Sequence, residues 1–492
     1  MTTRNVGFYL AVLLLFGTGI LAILSYGAHL RPDVPAPGAV PAPAAQAAAD
    51  GHAPAAAPSA IQGVGSSIVR KLVENVKQPL PLLLLQVIVI VLAARTLGHL
   101  CRRIGQPPVI GEMIAGILLG PSLLGLIAPA AESFVFPAAS LGPLRMLSQI
   151  GVILFLFVVG IELDVQHLRK MAHAAVMVSH ASIIVPFFLG TAFALLIYHK
   201  LASPGTPFSA FALFMGVSMS ITAFPVLARI IEERRMAGSH LGATAIACAA
   251  VDDVTAWCLL AVVVALAKAD GLGGSLLTIC LTLLFIAAML FLVRPRMSRL
   301  VERMPHIHTG TVFLAAILTF VFASALFTEV IGIHALFGAF LAGVCMPQDA
   351  GLRRFLRDRL ETVSSTFLLP LFFAFTGLRT QVGLLDDWTS WLLCGAVIVV
   401  AIAGKLGGSM AAARWTGMSW GDSVSLGALM NTRGLVELVV LNLGYDLGIL
   451  PPRIFAMMVL MALTTTFMAG PLLGIVDWVR RRETALASHA AA

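Results

Sequence analysis

The stretch "SLGALMNTRGLVELVV", residues 425–440, puts Asn431, Thr432, Arg433 and Gly434 in the middle of an otherwise apolar run. With its flanks the run is long enough to cross a bilayer, which takes about 20 apolar residues. In lipid, every backbone polar group must be satisfied within the protein, so irregular chain at that depth survives only against protein or a water-filled cavity. The stretch therefore reads as a membrane helix interrupted at mid-span. A second stretch, "GVSMSITAFPVLARIIEE" at 216–233, places Pro225 at mid-span behind Thr222. Proline removes a backbone donor and crowds the preceding turn. A kinked but continuous helix is the alternative for either stretch alone.

Composition supports the membrane reading. Of 492 residues, 59% are hydrophobic and 11% charged, whereas a soluble domain carries about 25% charged residues. One apolar segment covers 6–28, followed by an Ala/Pro-rich linker. Thirteen more lie near 80–98, 109–127, 144–163, 172–198, 208–231, 240–268, 274–293, 309–328, 331–346, 361–378, 388–413, 422–444 and 452–478. The expected architecture is an all-α polytopic membrane protein with a 13-helix core. Its parts are an N-terminal hydrophobic segment (1–29), an extracytoplasmic linker (30–79), a transmembrane domain (80–480) and a short cytoplasmic tail (481–492). The first segment either stays as a signal anchor or is cleaved after Gly27, and its length favours retention. No soluble nucleotide-binding domain is expected after the last helix. Six cysteines, none in a CxxC pair, read as small buried hydrophobes.

Basic residues orient the core. Connections after odd-numbered core helices, with the tail, hold twenty Lys and Arg, among them Arg102, Arg103, Arg234, Arg235, Arg353 and Arg354; the opposite connections hold five, Arg145, Lys200, Lys268, Arg379 and Arg453. The positive-inside rule then puts the linker outside and the C-terminus in the cytoplasm of a bacterial inner membrane. The net charge of +8 faces anionic lipid, so nucleic acid is not an expected partner. The two interrupted segments are seven helices apart and cross in opposite directions. Core helices 4–6 and 11–13 thus form two inverted units, each with a broken middle member, the arrangement that marks a transporter's binding site.

Charge inside the spans is confined to a few places. "AVDDVTAW", residues 250–257, sets Asp252 beside Asp253; Lys405 falls in the eleventh core helix; Arg433 and Glu437 lie four apart in the twelfth. A mid-bilayer charge costs about 2.5–3.5 kcal/mol on insertion scales. Arg433 with Glu437 fits a structural ion pair within one helix. The aspartates do not reduce to that, because one lysine cannot neutralise two carboxylates. Adjacent helical residues point about 100° apart, so one carboxylate can meet a neighbouring helix while the other faces a cavity. The leftover carboxylate needs a proton or a cation.

Together "QPPVIGEMIAGILLGPSLLG" (106–125), "LFLFVVGIELD" (154–164), "ITAFPVLARIIEE" (221–233), "AVDDVTAW" (250–257) and "MNTRGLVELVVLNLGYDLGIL" (430–450) resemble the second branch of the cation:proton antiporter superfamily. That branch holds bacterial sodium/proton antiporters, glutathione-gated potassium efflux systems and plant cation/proton exchangers. The resemblance covers about 80–480 and leaves the N-terminal segment and linker unmatched. It implies that Asp253 carries the ion or proton, that Asp252 is the partner carboxylate and that Lys405 is its counter-ion. It also implies unwound crossings at Thr222, Ala223, Phe224 and Pro225 and at Asn431, Thr432, Arg433 and Gly434, and a homodimer whose six-helix core moves against a dimerisation domain. The expected activity is exchange of a monovalent cation, sodium rather than potassium, for protons, without cofactor, resident metal or enzymatic chemistry. A cation channel and an intramembrane aspartyl protease are the alternatives. The first would show a repeated filter or a ring of charges, and the second lacks a GxGD partner for "GYDLG" at 444–448.

Overall fold

The computed structural model describes residues 3–30, 70–162, 172–236, 239–268, 272–303 and 310–491. Every regular element among them is helical, as backbone satisfaction in lipid requires. We label the main helices α1 (Thr3–Gly27), α2 (Pro79–Arg103), α3 (Pro108–Leu119), α4 (Leu141–Glu162), α5 (Ala172–Leu201), α6 (Phe208–Ser220), α7 (Phe224–Glu233), α8 (His240–Lys268) and α9 (Leu272–Ala287). The remainder are α10 (Thr311–Val330), α11 (Ala335–Val344), α12 (Ala350–Val363), α13 (Leu369–Leu378), α14 (Trp388–Ile402), α15 (Gly408–Trp415), α16 (Trp420–Met430), α17 (Leu435–Asp446) and α18 (Pro452–Ala491). Among the described residues, 12 helices are long and apolar enough to cross a membrane, or 13 if the bent pair α16–α17 counts as one span.

The core segments expected from sequence all have helical counterparts, with one shortfall. Residues 331–346 yield only the 10-residue α11, about 15 Å long at ~1.5 Å per residue, or half the hydrocarbon thickness. The chain turns at Gly332, whose φ of +90° suits glycine, and His334 then caps α11 by accepting from the Leu336 amide. Most of the linker, 31–69, lies outside the described residues; 70–76 are helical, so the helical chain begins before the expected start of the core. Arg169 and Lys170, which enter the charge count, also lie outside the described residues.

Packing sorts the helices into two groups. In the first, α2, α3, α4, α11 and α13 pack on one another and α10 covers α11. In the second, α5 packs on α6, α8, α14 and α15, while α16 and α17 pack on α18. The groups touch where α13 meets α17 and where α18 meets α3. α1 lies against α5 and α6. Small residues allow the close approaches inside the first group: a Cβ at Gly116 would lie 2.1 Å from Ala374 O, and one at Gly343 would lie 2.2 Å from Phe157 O. Glycine at such contacts is how membrane helices bring their backbones together without a hydrophobic driving force.

Candidate functional site

Both interrupted segments lie in the second group and meet at their breaks. α16 and α17 are bent by 42° across residues 431–434, the four unwound residues expected there. The other break is displaced from its expected position. It comprises Ile221, Thr222 and Ala223, whereas Phe224 and Pro225 already belong to the first turn of α7. The reason lies in the proline itself: first-turn amides have no intrahelical acceptor, so a missing N–H is harmless there and the fixed φ is preset for a helix start. The two breaks join through the Ala223 amide, which donates to Thr432 O at 2.9 Å, and the Thr222 hydroxyl, which lies 3.0 Å from Met430 O and shares its one proton between that carbonyl and Asp252. Gly434 makes room for the crossing, since a Cβ there would lie 2.9 Å from Val226 Cγ2 and 3.2 Å from Ala223 Cβ.

Breaking a helix orphans its last carbonyls, and two buried cations take over those of α6. Arg433 donates from Nη1 to Ser218 O and from Nη2 to Met219 O, each at 2.7 Å, and the Lys405 ammonium bonds Ser220 O. These positive groups also sit at the negative end of the half-helix dipole. Arg433 is ion-paired with Glu437 at 2.9 Å, both side chains fully buried. On the far side of its break, Arg433 N donates to Thr466 Oγ1 at 2.9 Å, and that hydroxyl donates back to Arg433 O at 2.8 Å.

The aspartates of α8 face different surroundings. Asp252 is saturated. Its Oδ1 accepts from Ser179 at 2.5 Å, and its Oδ2 accepts from Ser182 at 2.7 Å, Thr222 at 2.7 Å and Lys405 at 2.8 Å. Asp253 is also buried, at 2% exposure, yet its Oδ1 has no hydrogen-bond partner. Its other contact is the backbone amide of Phe224, in the first turn of α7, where orphan amides and the dipole favour an anion. Asn431 contributes a further uncommitted group, with both side-chain amide atoms buried and unpartnered. The structure thus brings Asp252, Lys405 and Thr222 into one cluster. It puts Asp253 at the start of α7, and it places Arg433 with Glu437 as a brace on the crossing.

Ser179, Ser182 and Ser220 O escaped the sequence reading. The serines are three apart, so helical geometry sets them on one face of α5, a signal visible only once α5 is known to face α8. Lys405 reaches Ser182 and Ser220 O from a π-helical turn, Ala403–Gly407, between α14 and α15. Such turns cluster at functional sites. Glycine lets this turn approach α5, as a Cβ at Gly404 would lie 2.8 Å from Pro186 Cα.

A cleft of about 1140 Å³ opens between the two packing groups. Phe224, Pro225 and Leu435 line it from the second group, and Glu112, Phe373 and Arg357 from the first. Because Phe224 lines the cleft, it ends at the start of the half-helix that faces Asp253.

The chain matches a known family. The family model described as sodium/hydrogen exchanger, transmembrane, matches residues 87–478. The chain belongs to that family of cation/proton antiporters. It is 43% identical over 395 residues to the Na+/H+ antiporter NhaS4 of Synechocystis sp., covering 80% of this chain and 96% of that one. It is 42% identical to cation/H+ antiporter 17 of Arabidopsis thaliana, over 80% of this chain but 48% of the relative, and 34% identical to K+/H+ antiporter 1 of Saccharomyces cerevisiae, over 82% and 47%. The chain thus spans about half the length of these plant and yeast relatives. The sodium proton antiporter MjNhaP1 of Methanocaldococcus jannaschii shares the fold, with a TM-score of 0.56 at 13% identity over 82% of this chain and 98% of that one. The protein is accordingly a multi-pass membrane transporter rather than an enzyme.

Proposed function

We propose that the protein exchanges a monovalent cation for protons by competition at Asp253. The observation that carries this reading is the contrast within α8: Asp252 has four donors, while Asp253 keeps a buried oxygen with no partner. A carboxylate left so in a low-dielectric interior must bind a proton or a cation. Deprotonated Asp253 binds the desolvated cation, with Asn431 and the broken-helix backbone supplying further oxygens, and protonation expels it. Only the loaded, charge-compensated site reorients cheaply, and this couples the two fluxes. Lys405 pairs with Asp252 at 2.8 Å and so keeps that carboxylate from competing for the same ion.

Sodium is favoured over potassium. The relative at 43% identity is named for sodium, and the more distant yeast relative, at 34%, for potassium. The cleft faces the cytoplasm in this reading, because Arg353, Arg354 and Arg357 at its rim belong to the basic side of the chain. The protein would sit in a bacterial inner membrane as a homodimer, with α1 retained as an additional span.

The test is proton flux in proteoliposomes driven by sodium, potassium or lithium. Wild type is expected to exchange sodium for protons with strict coupling, and uncoupled flux would favour a channel. Asp253→Asn should insert normally and exchange nothing; normal exchange by that variant overturns the assignment.

A further inference from the structure

The contact between the two packing groups changes character along α13 and α17. At one end Leu369, Phe373 and Leu435 line the cleft, and the helices stand apart. About ten residues further along each helix, ~15 Å at ~1.5 Å per residue, the same two helices are tied by charge. Arg379 donates from Nη1 to Asn442 Oδ1 at 2.9 Å and pairs through Nη2 with Asp446. Asn442 donates from Nδ2 to Thr376 Oγ1 at 2.8 Å, and Arg145, at the start of α4, adds a second guanidinium 2.9 Å from Asp446 Oδ2. The Arg379 guanidinium lies 4.3 Å from the Tyr445 ring centroid and 5.3 Å from that of Phe375. The side chains of Arg379 and Asp446 are 14% and 17% exposed, so the pair is mostly out of water, where charge-assisted bonds are stronger.

We propose that Arg379, Arg145, Asn442 and Asp446 form an ionic latch that closes the path to the ion site on the face opposite the cleft. This rests on the antiport reading, in which the site must face each side in turn. Both guanidinia belong to the first packing group, and the carboxylate and amide belong to the second. The cluster therefore spans the boundary that has to move and braces neither group internally. It sits at the end of α13 and α17 remote from the cleft, so closing the cleft by rocking one group on the other pulls Asp446 away from Arg379 and Arg145. Rocking of one bundle against another about a fixed site is how such folds alternate. With the latch shut, two guanidinia also stand at the closed mouth and repel an approaching cation.

The test reads access rather than transport. A reporter cysteine, Ser365→Cys, lines the cleft and is labelled by a membrane-impermeant thiol reagent in nanodiscs, referenced to the chain without the reporter. Arg379→Gln and Asp446→Asn are each expected to slow labelling about fivefold, since loss of the latch shifts the population toward the cleft-closed state. The double variant should be slowed by less than the product of the two single effects, because both single variants remove the Arg379–Asp446 pair. Unchanged labelling in both single variants, or effects that add in the double, overturns the latch. If the neutral variants do not insert, Arg379→Lys keeps the charge but loses the fork that reaches Asn442 and Asp446 together; wild-type labelling in that variant overturns the proposal equally. Labelling needs no exchange, so an unshifted rate counts against the latch alone, whereas normal exchange by Asp253→Asn counts against the site reading alone.

Discussion

The two interrupted helices cross at one point but are finished differently. Beyond 431–434, the start of α17 carries its own anion: Glu437 lies in the first turn, paired with Arg433. Beyond 221–223, α7 has no acid in its first turn, and the carboxylate at its start, Asp253, comes from another helix and keeps a free oxygen. The helix ends before the breaks differ too. Arg433 and Lys405 hold the last carbonyls of α6, whereas the Met430 carbonyl of α16 meets the neutral Thr222 hydroxyl. One half of the crossing therefore carries a buried ion pair within its own chain segment, although Glu437 Oε1 has no partner among the described residues. The other half presents a helix N-terminus to Asp253, which comes from α8 and is paired with no cationic side chain among the described residues.

That contrast breaks most sharply at Arg433. Arg433→Ala strands Glu437 and two carbonyls in the interior, a loss of about 3–5 kcal/mol for a broken buried pair; detergent-solubilised protein should then aggregate on size-exclusion chromatography. Gly434→Ala forces a methyl group against Val226 and Ala223, and overpacking of that kind costs about 1–3 kcal/mol, read as a lower melting temperature with exchange slowed. Ser179→Ala removes one of the four donors to Asp252, worth about 1.5 kcal/mol for a bond to a charged group. Its exchange should survive at a reduced rate. Glu437→Gln gives the smallest effect on transport, because Arg433 keeps its carbonyl bonds; if that variant were as inactive as Asp253→Asn, the division into a structural and a working half would fall.

Much of this was legible in the sequence because membranes penalise charge and breaks. Asp252, Asp253, Lys405 and the Asn431–Gly434 interruption stood out against apolar surroundings, and their spacing ordered them into two inverted units. The extent of the first break is not legible in the same way, because Pro225 reads as a breaker from sequence. Whether it ends one helix or starts the next depends on where the preceding carbonyls find partners, here Arg433 and Lys405. Ser179 and Ser182 were invisible for another reason: serine is common in membrane helices, and only the facing of α5 toward α8 makes these two ligands of a carboxylate. The latch was missed because Arg145, Arg379 and Asp446 sit at helix ends, where charge needs no explanation.

The π-helical turn at Ala403–Gly407 makes the placement of Lys405 a matter of phase as well as of identity. A helix that relaxed to regular α geometry there would shift its register by one residue and swing the ammonium by about 100°, away from Ser182 and Asp252. In this part of the chain a one-residue deletion should therefore be more damaging than a substitution. Removing Gly404 would leave Lys405 intact in the sequence and yet aim it at the wrong neighbour.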